Sequence, residues 1–102
     1  MPPPQESTQL TTTSIVVATE DQVSSDLAGE TVLLSMRSAM YYGLDDVGSR
    51  IWELVSAPRR VSEICDTIEQ EYDVTAERCR ADVLRFLREL AARELIEVRS
   101  GA

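Results

Sequence analysis

Met40-Tyr41-Tyr42-Gly43-Leu44-Asp45-Asp46-Val47-Gly48-Ser49-Arg50-Ile51-Trp52 passes from an aromatic, strand-like run straight into an amphipathic helix, and that joint decides the fold. Tyr41 and Tyr42 suit a pleated, half-buried surface, so Met40 to Leu44 reads as a strand. Asp45 is a natural N-cap, its carboxylate placed to accept backbone N–H groups of the next turn. Asp46 adds negative charge at the positive end of the helix dipole. From Val47 the apolar period lengthens from two to about 3.6.

Upstream of the joint the pattern is β. Thr31-Val32-Leu33-Leu34-Ser35-Met36 reads as a strand with Val32, Leu34 and Met36 on one face. Ala28-Gly29-Glu30 and Arg37-Ser38-Ala39 read as the turns around it, so residues 23–44 form an antiparallel meander. Ser14 to Thr19 and Val23 to Leu27 each offer a first strand, and its register stays open between residues 15 and 27. Residues 1–13 are rich in Pro, Ser, Thr and Gln, with Leu10 the one aliphatic after the initiator, and read as a disordered tail.

Downstream the pattern is helical. Val47, Ile51, Leu54 and Val55 share the stripe of a first helix, with Trp52 to one side, and Ser56-Ala57-Pro58 ends it. Val61, Ile64, Cys65, Ile68 and Tyr72 mark a second helix with Glu63 in its first turn. Thr75 is an N-cap for a third, and Val74 is placed to staple against Cys79. The stripe of this third helix is Cys79, Val83, Phe86, Leu87 and Leu90. Residues 95–98 either add a last helical turn or extend as a terminal strand. Arg80, Leu84 and Ala91 lie on the flank next to Leu87. Leu84 either widens the core face or, with Arg80 and Leu87, lines a groove. The expected architecture is α+β and winged-helix-like: a three-stranded antiparallel sheet followed by three helices in one domain over residues 14–98.

Composition narrows the function. At 102 residues the chain holds one modest core, and its net charge of −8 argues against polyanionic partners such as nucleic acid. All ten basic residues are arginine, and Lys, His and Asn are absent. Imidazole bases, His metal ligands, Schiff-base lysines and Ser-His or Cys-His dyads are therefore excluded. Cys65 and Cys79 fall on apolar helical stripes rather than in a C-x-x-C pair, and read as buried free thiols of a cytoplasmic protein. No membrane span or export signal is visible, so no membrane partner is expected. Neither a cofactor nor a metal site is expected.

The segments Leu33-Leu34, Tyr41-Tyr42-Gly43-Leu44-Asp45, Val47-Gly48, Ile51-Trp52-Glu53-Leu54, Val61-Ser62-Glu63-Ile64, Glu71-Tyr72-Asp73-Val74, Asp82-Val83, Phe86-Leu87, Leu90 and Leu95-Ile96 resemble, at near-family spacing, the PqqD-like family. These proteins are recognition elements for ribosomally made, post-translationally modified peptides. The resemblance spans about residues 23–98 and is nearest to the free-standing leader-binding subunit of lasso-peptide biosynthesis. Two positions depart from the pattern: Arg60 stands where the family often has a Thr cap, and Asp45 where the cofactor branch usually has Asn.

The resemblance implies a non-enzymatic peptide chaperone. It would capture the leader of a precursor peptide as an added strand and present it to a separate cysteine-protease subunit and an ATP-dependent cyclase. It implies a binding strand of Met40, Tyr41, Tyr42, Gly43 and Leu44, faced by Arg80, Val83, Leu84 and Leu87 of the third helix. An unpaired strand edge beside an apolar helix flank suits β-augmentation.

Other readings of the same elements are a PqqA-type precursor delivered to a radical-SAM enzyme, a winged-helix DNA-binding regulator, and an enzyme working through its carboxylates. Against DNA, Arg78, Arg85 and Arg88 point in different directions around the third helix, interspersed with Glu77, Asp82, Glu89 and Glu94. Against an enzyme, the charged pairs fall on solvated helix faces.

Overall fold

The computed structural model describes residues 10–20, 22–27, 30–36 and 39–99. In chain order the elements are β1 (Ile15–Ala18), β2 (Gln22–Leu27), β3 (Glu30–Ser35), β4 (Met40–Leu44), α1 (Asp46–Leu54), β5 (Arg59–Arg60), α2 (Val61–Glu71), α3 (Ala76–Ala92) and β6 (Ile96–Arg99). The architecture is α+β with antiparallel sheets and three helices, as expected. The meander is the sheet β2-β3-β4, and a second three-stranded sheet, β5-β1-β6, joins the chain's two ends. Both candidate first strands therefore form, one in each sheet. Of the expected turns, residues 28, 29, 37 and 38 lie outside the described residues.

The meander is registered by Leu33↔Tyr42 and Thr31↔Leu44 on one side and Leu34↔Tyr41 and Val32↔Gly43 on the other. Val32, Leu34 and Met36 do share a face, but it is the outer one. Leu33 is 0% exposed and Ser35 is buried, whereas Met36 is 62% exposed. With Leu33 and Leu34 adjacent, alternation fits two registers, and packing against α1 selects the one that buries Leu33.

Capping sets the helix boundaries. Asp45 Oδ1 accepts the Gly48 N–H at 2.7 Å, and Thr75 Oγ1 accepts the Arg78 N–H at 3.2 Å. At α1's C-terminal end, Arg59 Nε donates to the Leu54 carbonyl at 2.7 Å. Glu94 ends α3 by adopting φ 60. Its N–H donates to Ala91 O, and that of Leu95 to Leu90 O, the paired bonds of a Schellman motif. That left-handed residue costs about 1–2 kcal/mol without glycine. It turns the chain so that residues 96–98 leave as strand β6 rather than as a last helical turn.

The N-terminal segment docks earlier than composition suggests. Residues 1–9 of the expected tail lie outside the described residues, but Leu10 is only 4% exposed and belongs to the core. Arg60 carries no side-chain cap for α2, although its own N–H donates to Glu63 Oε1 at 3.2 Å. The first free amides of α2 are instead taken up from that segment: Val61 N–H donates to Ser14 O and Ser62 N–H to Thr12 O, each at 2.9 Å. Backbone carbonyls do the work of the missing cap side chain, which no side-chain pattern reveals.

Ile51, Val55, Val61, Ile64, Val83, Leu87 and Leu95 are fully buried between helices and sheets. Cys65 and Cys79 are buried free thiols, Cys79 Sγ donating to the Cys65 carbonyl at 3.4 Å. Burial pushes the Cys65 thiol up to about 11 and raises that of Cys79, which leaves both unreactive. A two-pronged pair ties α1 to α2: Arg50 Nε and Nη2 donate to Glu71 Oε1 and Oε2 at 2.8 and 2.9 Å.

Two expectations follow. Leu10→Ala should lower unfolding stability by about 2 kcal/mol in urea titration with an unchanged m-value; a loss below about 0.5 kcal/mol would mean that the segment contributes no core. Hydrogen bonds from Arg50 hold the Glu71 carboxyl below its ordinary value of 4.5. A depressed carboxyl stabilises the fold above its unfolded pKa and loses that contribution as pH falls through its folded pKa. The gap in thermal midpoint between the parent and Arg50→Gln should therefore be largest near neutral pH and close as pH falls below 4.5. A gap independent of pH would exclude the pair as its source.

Candidate functional site

Among the described residues β4 pairs only with β3, so its other edge is open. Alternation sends its side chains two ways. Leu44 is buried and Tyr42 half-buried on the core side, while Tyr41 is 72% exposed on the outer face. Met40 is also exposed, and Gly43 has open space where a side chain would be. What distinguishes this edge is the helix leaning towards it. The Arg93 guanidinium, at the end of α3, lies 5.0 Å from the Tyr42 ring centroid. Seven residues earlier, Phe86 approaches the first turn of α1 so closely that a Cβ at Gly48 would stand 3.3 Å from Phe86 Cζ.

Between α3, α2 and the start of α1 lies a cleft of about 360 Å³. Its walls are Val47 and Ile51 from α1, Ile68 from α2, Val74 before α3, and Val83 and Phe86 from α3. Asp45, Asp82, Arg85 and Glu89 add charge to the lining. Asp82 is held by Arg78 and Arg85, each at 3.2 Å. Asp82, Phe86, Glu89 and Arg93 fall at i, i+4, i+7 and i+11, one face of the helix. The cleft begins at Asp45, the residue after β4, and is an apolar hollow with charged groups at its margin. Among the described residues no group of three or more carboxylates or thiols is placed to hold a metal ion.

The residues expected on the helix side do not all meet there. Val83 reaches the cleft from its buried position, and Leu87, 0% exposed, is wholly core. Arg80 is exposed, and Leu84 is half-buried against the core. At 100° per residue Leu84 stands about 160° around α3 from Phe86, so Arg80 and Leu84 lie on the flank away from the cleft. Phe86, read from the sequence as core stripe, is half-buried on the cleft wall instead. The periodicity contained the signal, since Phe86 sits at the edge of its stripe. Which edge faces the strand depends on how α3 rolls against the sheet.

Comparison with known proteins identifies the family. Residues 30–96 match the family described as coenzyme PQQ synthesis protein D (PqqD). A PqqA binding protein of Rhizobium meliloti (strain 1021) is 30% identical over 70 residues, 69% of each chain. A solved structure of TbiB1 in complex with the TbiA(beta) leader peptide is similar at a TM-score of 0.73 and 41% identity, covering 78% of this chain and 93% of that one. A lasso peptide synthetase B1 complexed with the leader peptide shares the fold at a TM-score of 0.72 and 17% identity, covering 79% and 95%. From the span of the family match, the fold and the 30% identical relative, the chain belongs to the PqqD family.

Proposed function

We propose that this protein is a non-catalytic recognition element that binds the leader segment of a ribosomally made precursor peptide by strand addition. In this reading it works in the cytoplasm and presents the attached core to a separate leader protease and then to a cyclase, as in lasso-peptide maturation. The observation that carries it is the open edge of β4, with an apolar cleft that begins at the next residue, Asp45, in a chain 41% identical to a protein solved with a leader peptide bound. An added strand would line up with Met40 to Leu44 and be covered by Val83, Phe86, Glu89 and Arg93.

The energetics suit a carrier. Each net main-chain hydrogen bond contributes about 0.5–1.5 kcal/mol and tolerates any sequence. One fully buried aliphatic or aromatic anchor adds about 1.5–3 kcal/mol before ordering costs, and supplies the choice of peptide. Such a sum gives reversible capture, and tethering raises the effective concentration of the core at the processing enzymes. A DNA-binding role is disfavoured by the net charge of −8, and the cleft's polar lining is mainly carboxylate. The name of the relative, PqqA binding protein, points to peptide binding as well, at lower identity than the leader complex.

The test is calorimetric titration with a synthetic TbiA(beta) leader peptide, the one bound by the 41% identical relative. Phe86→Ala should weaken binding at least tenfold, about 1.4 kcal/mol, with an unchanged circular dichroism spectrum. Arg80→Ala, on the far flank, should stay within twofold of the parent. The opposite ranking would move the site to the Arg80 and Leu84 flank, and no binding by the parent would remove the leader reading.

A further inference from the structure

One glycine of the open-edged strand answers no need of the fold itself. Gly43 lies within β4, opposite Val32 of β3. Its φ is outside the left-handed region, and a Cβ built on it meets no atom beyond its chain neighbours within 4 Å. Neither backbone conformation nor crowding therefore requires glycine there, in contrast to Gly48, whose Cβ would meet the Asp45 carboxylate and the Phe86 ring. Glycine weakens a strand by giving up a side chain that could pack, and it marks places where another group comes close.

The neighbours of Gly43 show what kind of group would come. On the outer face of the meander Tyr41 is exposed, Leu34 opposite it and Val32 opposite Gly43 are half-buried, and Met36 beyond them is exposed. The missing side chain leaves a notch in this apolar face, with Val32 across it on β3, Tyr41 two residues along β4, and the open edge of β4 as its entrance. A strand added at that edge sends alternate side chains into the cleft and onto this outer face. An outward side chain opposite Gly43 must lean across one strand spacing, about 4.8 Å, before it meets Val32. A Leu or Val side chain ends over the glycine backbone, whereas an aromatic ring reaches Val32 and lies beside the Tyr41 ring. Aromatic against β-branched and aromatic against aromatic are favourable cross-strand pairs, and a ring laid over an edge glycine offsets the weakness of that glycine.

We propose that Gly43 is a specificity-determining position: its notch takes an aromatic side chain of the docked strand, on the face of the sheet away from the cleft. The leader is then read from both sides, an apolar anchor by Val83 and Phe86 and an aromatic by Val32, Gly43 and Tyr41. This deepens the leader-binding reading above and rests on it. Because side chains alternate along a strand, the aromatic stands an odd number of residues from the cleft anchor.

The experiment uses the full chain and the synthetic TbiA(beta) leader peptide as scaffold, each position replaced in turn by Phe, Leu and Ala, with affinity read by fluorescence polarisation. The cleft anchor is the position whose Ala penalty shrinks in Phe86→Ala. At one position an odd number of residues from it, the parent should prefer Phe over Ala at least about tenfold and Leu over Ala less than about threefold. Filling the notch from the protein side removes the room for the ring. The Phe-to-Ala ratio should therefore fall below about threefold in Gly43→Thr and lie between in Gly43→Ala, while Phe86→Ala lowers affinity without lowering the ratio. Thr suits a strand, so Gly43→Thr should melt no lower than the parent; should it fail to fold, the fall in Gly43→Ala decides. If no odd-spaced position prefers Phe, or if the preference persists undiminished in the folded Gly43 variants, the proposal is overturned and leader binding stands. If no peptide of the series binds the parent, the leader reading itself fails and this assignment fails with it.

Discussion

The approach of Phe86 to the backbone at Gly48 is the constraint on which the arrangement depends. A side chain at Gly48 would place its Cβ 3.0 Å from Asp45 Oδ1 and 3.3 Å from Phe86 Cζ. A Cβ there would require the cap carboxylate and the ring each to give by a few tenths of an ångström, so glycine suits both the cap that starts α1 and the ring that brings α3 against it. With that contact at one end and the Arg93 guanidinium 5.0 Å from the Tyr42 ring centroid at the other, α3 touches both the start of α1 and β4 through side chains. The open edge follows from the strand order, and the close approach at the strand-to-helix joint sets one wall of the cleft.

That joint was the most legible part of the sequence. Asp45 as cap, β4 before it and α1 after it follow from residue types whose local preferences agree with the final fold. The same holds for Thr75 and for the stripes of α2 and α3, Phe86 excepted. Less was legible where the outcome depended on distant partners. Two adjacent leucines, Leu33 and Leu34, could each have faced the core, and only α1 decides between them. Leu10 looked like a lone aliphatic in a polar tail, yet it is buried because backbone carbonyls beside it cap α2. Strand β6 forms because Glu94 accepts a left-handed conformation that its residue type does not advertise.

The candidate site divides along the same line. The strand half, Met40 to Leu44, could be named from local pattern and family resemblance, and it is an open edge. For the helix half, an amphipathic helix with apolar residues on both flanks has two ways to roll against a sheet, and local pattern does not choose between them. The flank carrying Leu84 is the more apolar in sequence, whereas the flank facing the cleft carries Asp82, Phe86, Glu89 and Arg93. A groove of this composition fits a recognition protein better than a structural contact. In the proposed reading that aromatic wall would supply affinity, with charged neighbours to choose among peptides.

Strand addition at β4 makes one demand that no other docking mode shares: backbone amides of that strand must gain partners. Site-resolved amide hydrogen exchange of the full chain, with and without saturating TbiA(beta) leader peptide, reads this directly. Slowed exchange at outward-facing amides within residues 40–44, with added protection along the α3 face from Asp82 to Arg93, is the predicted result. Saturable binding that protects the edge of β2 or β6 instead, and leaves β4 unchanged, would contradict the account.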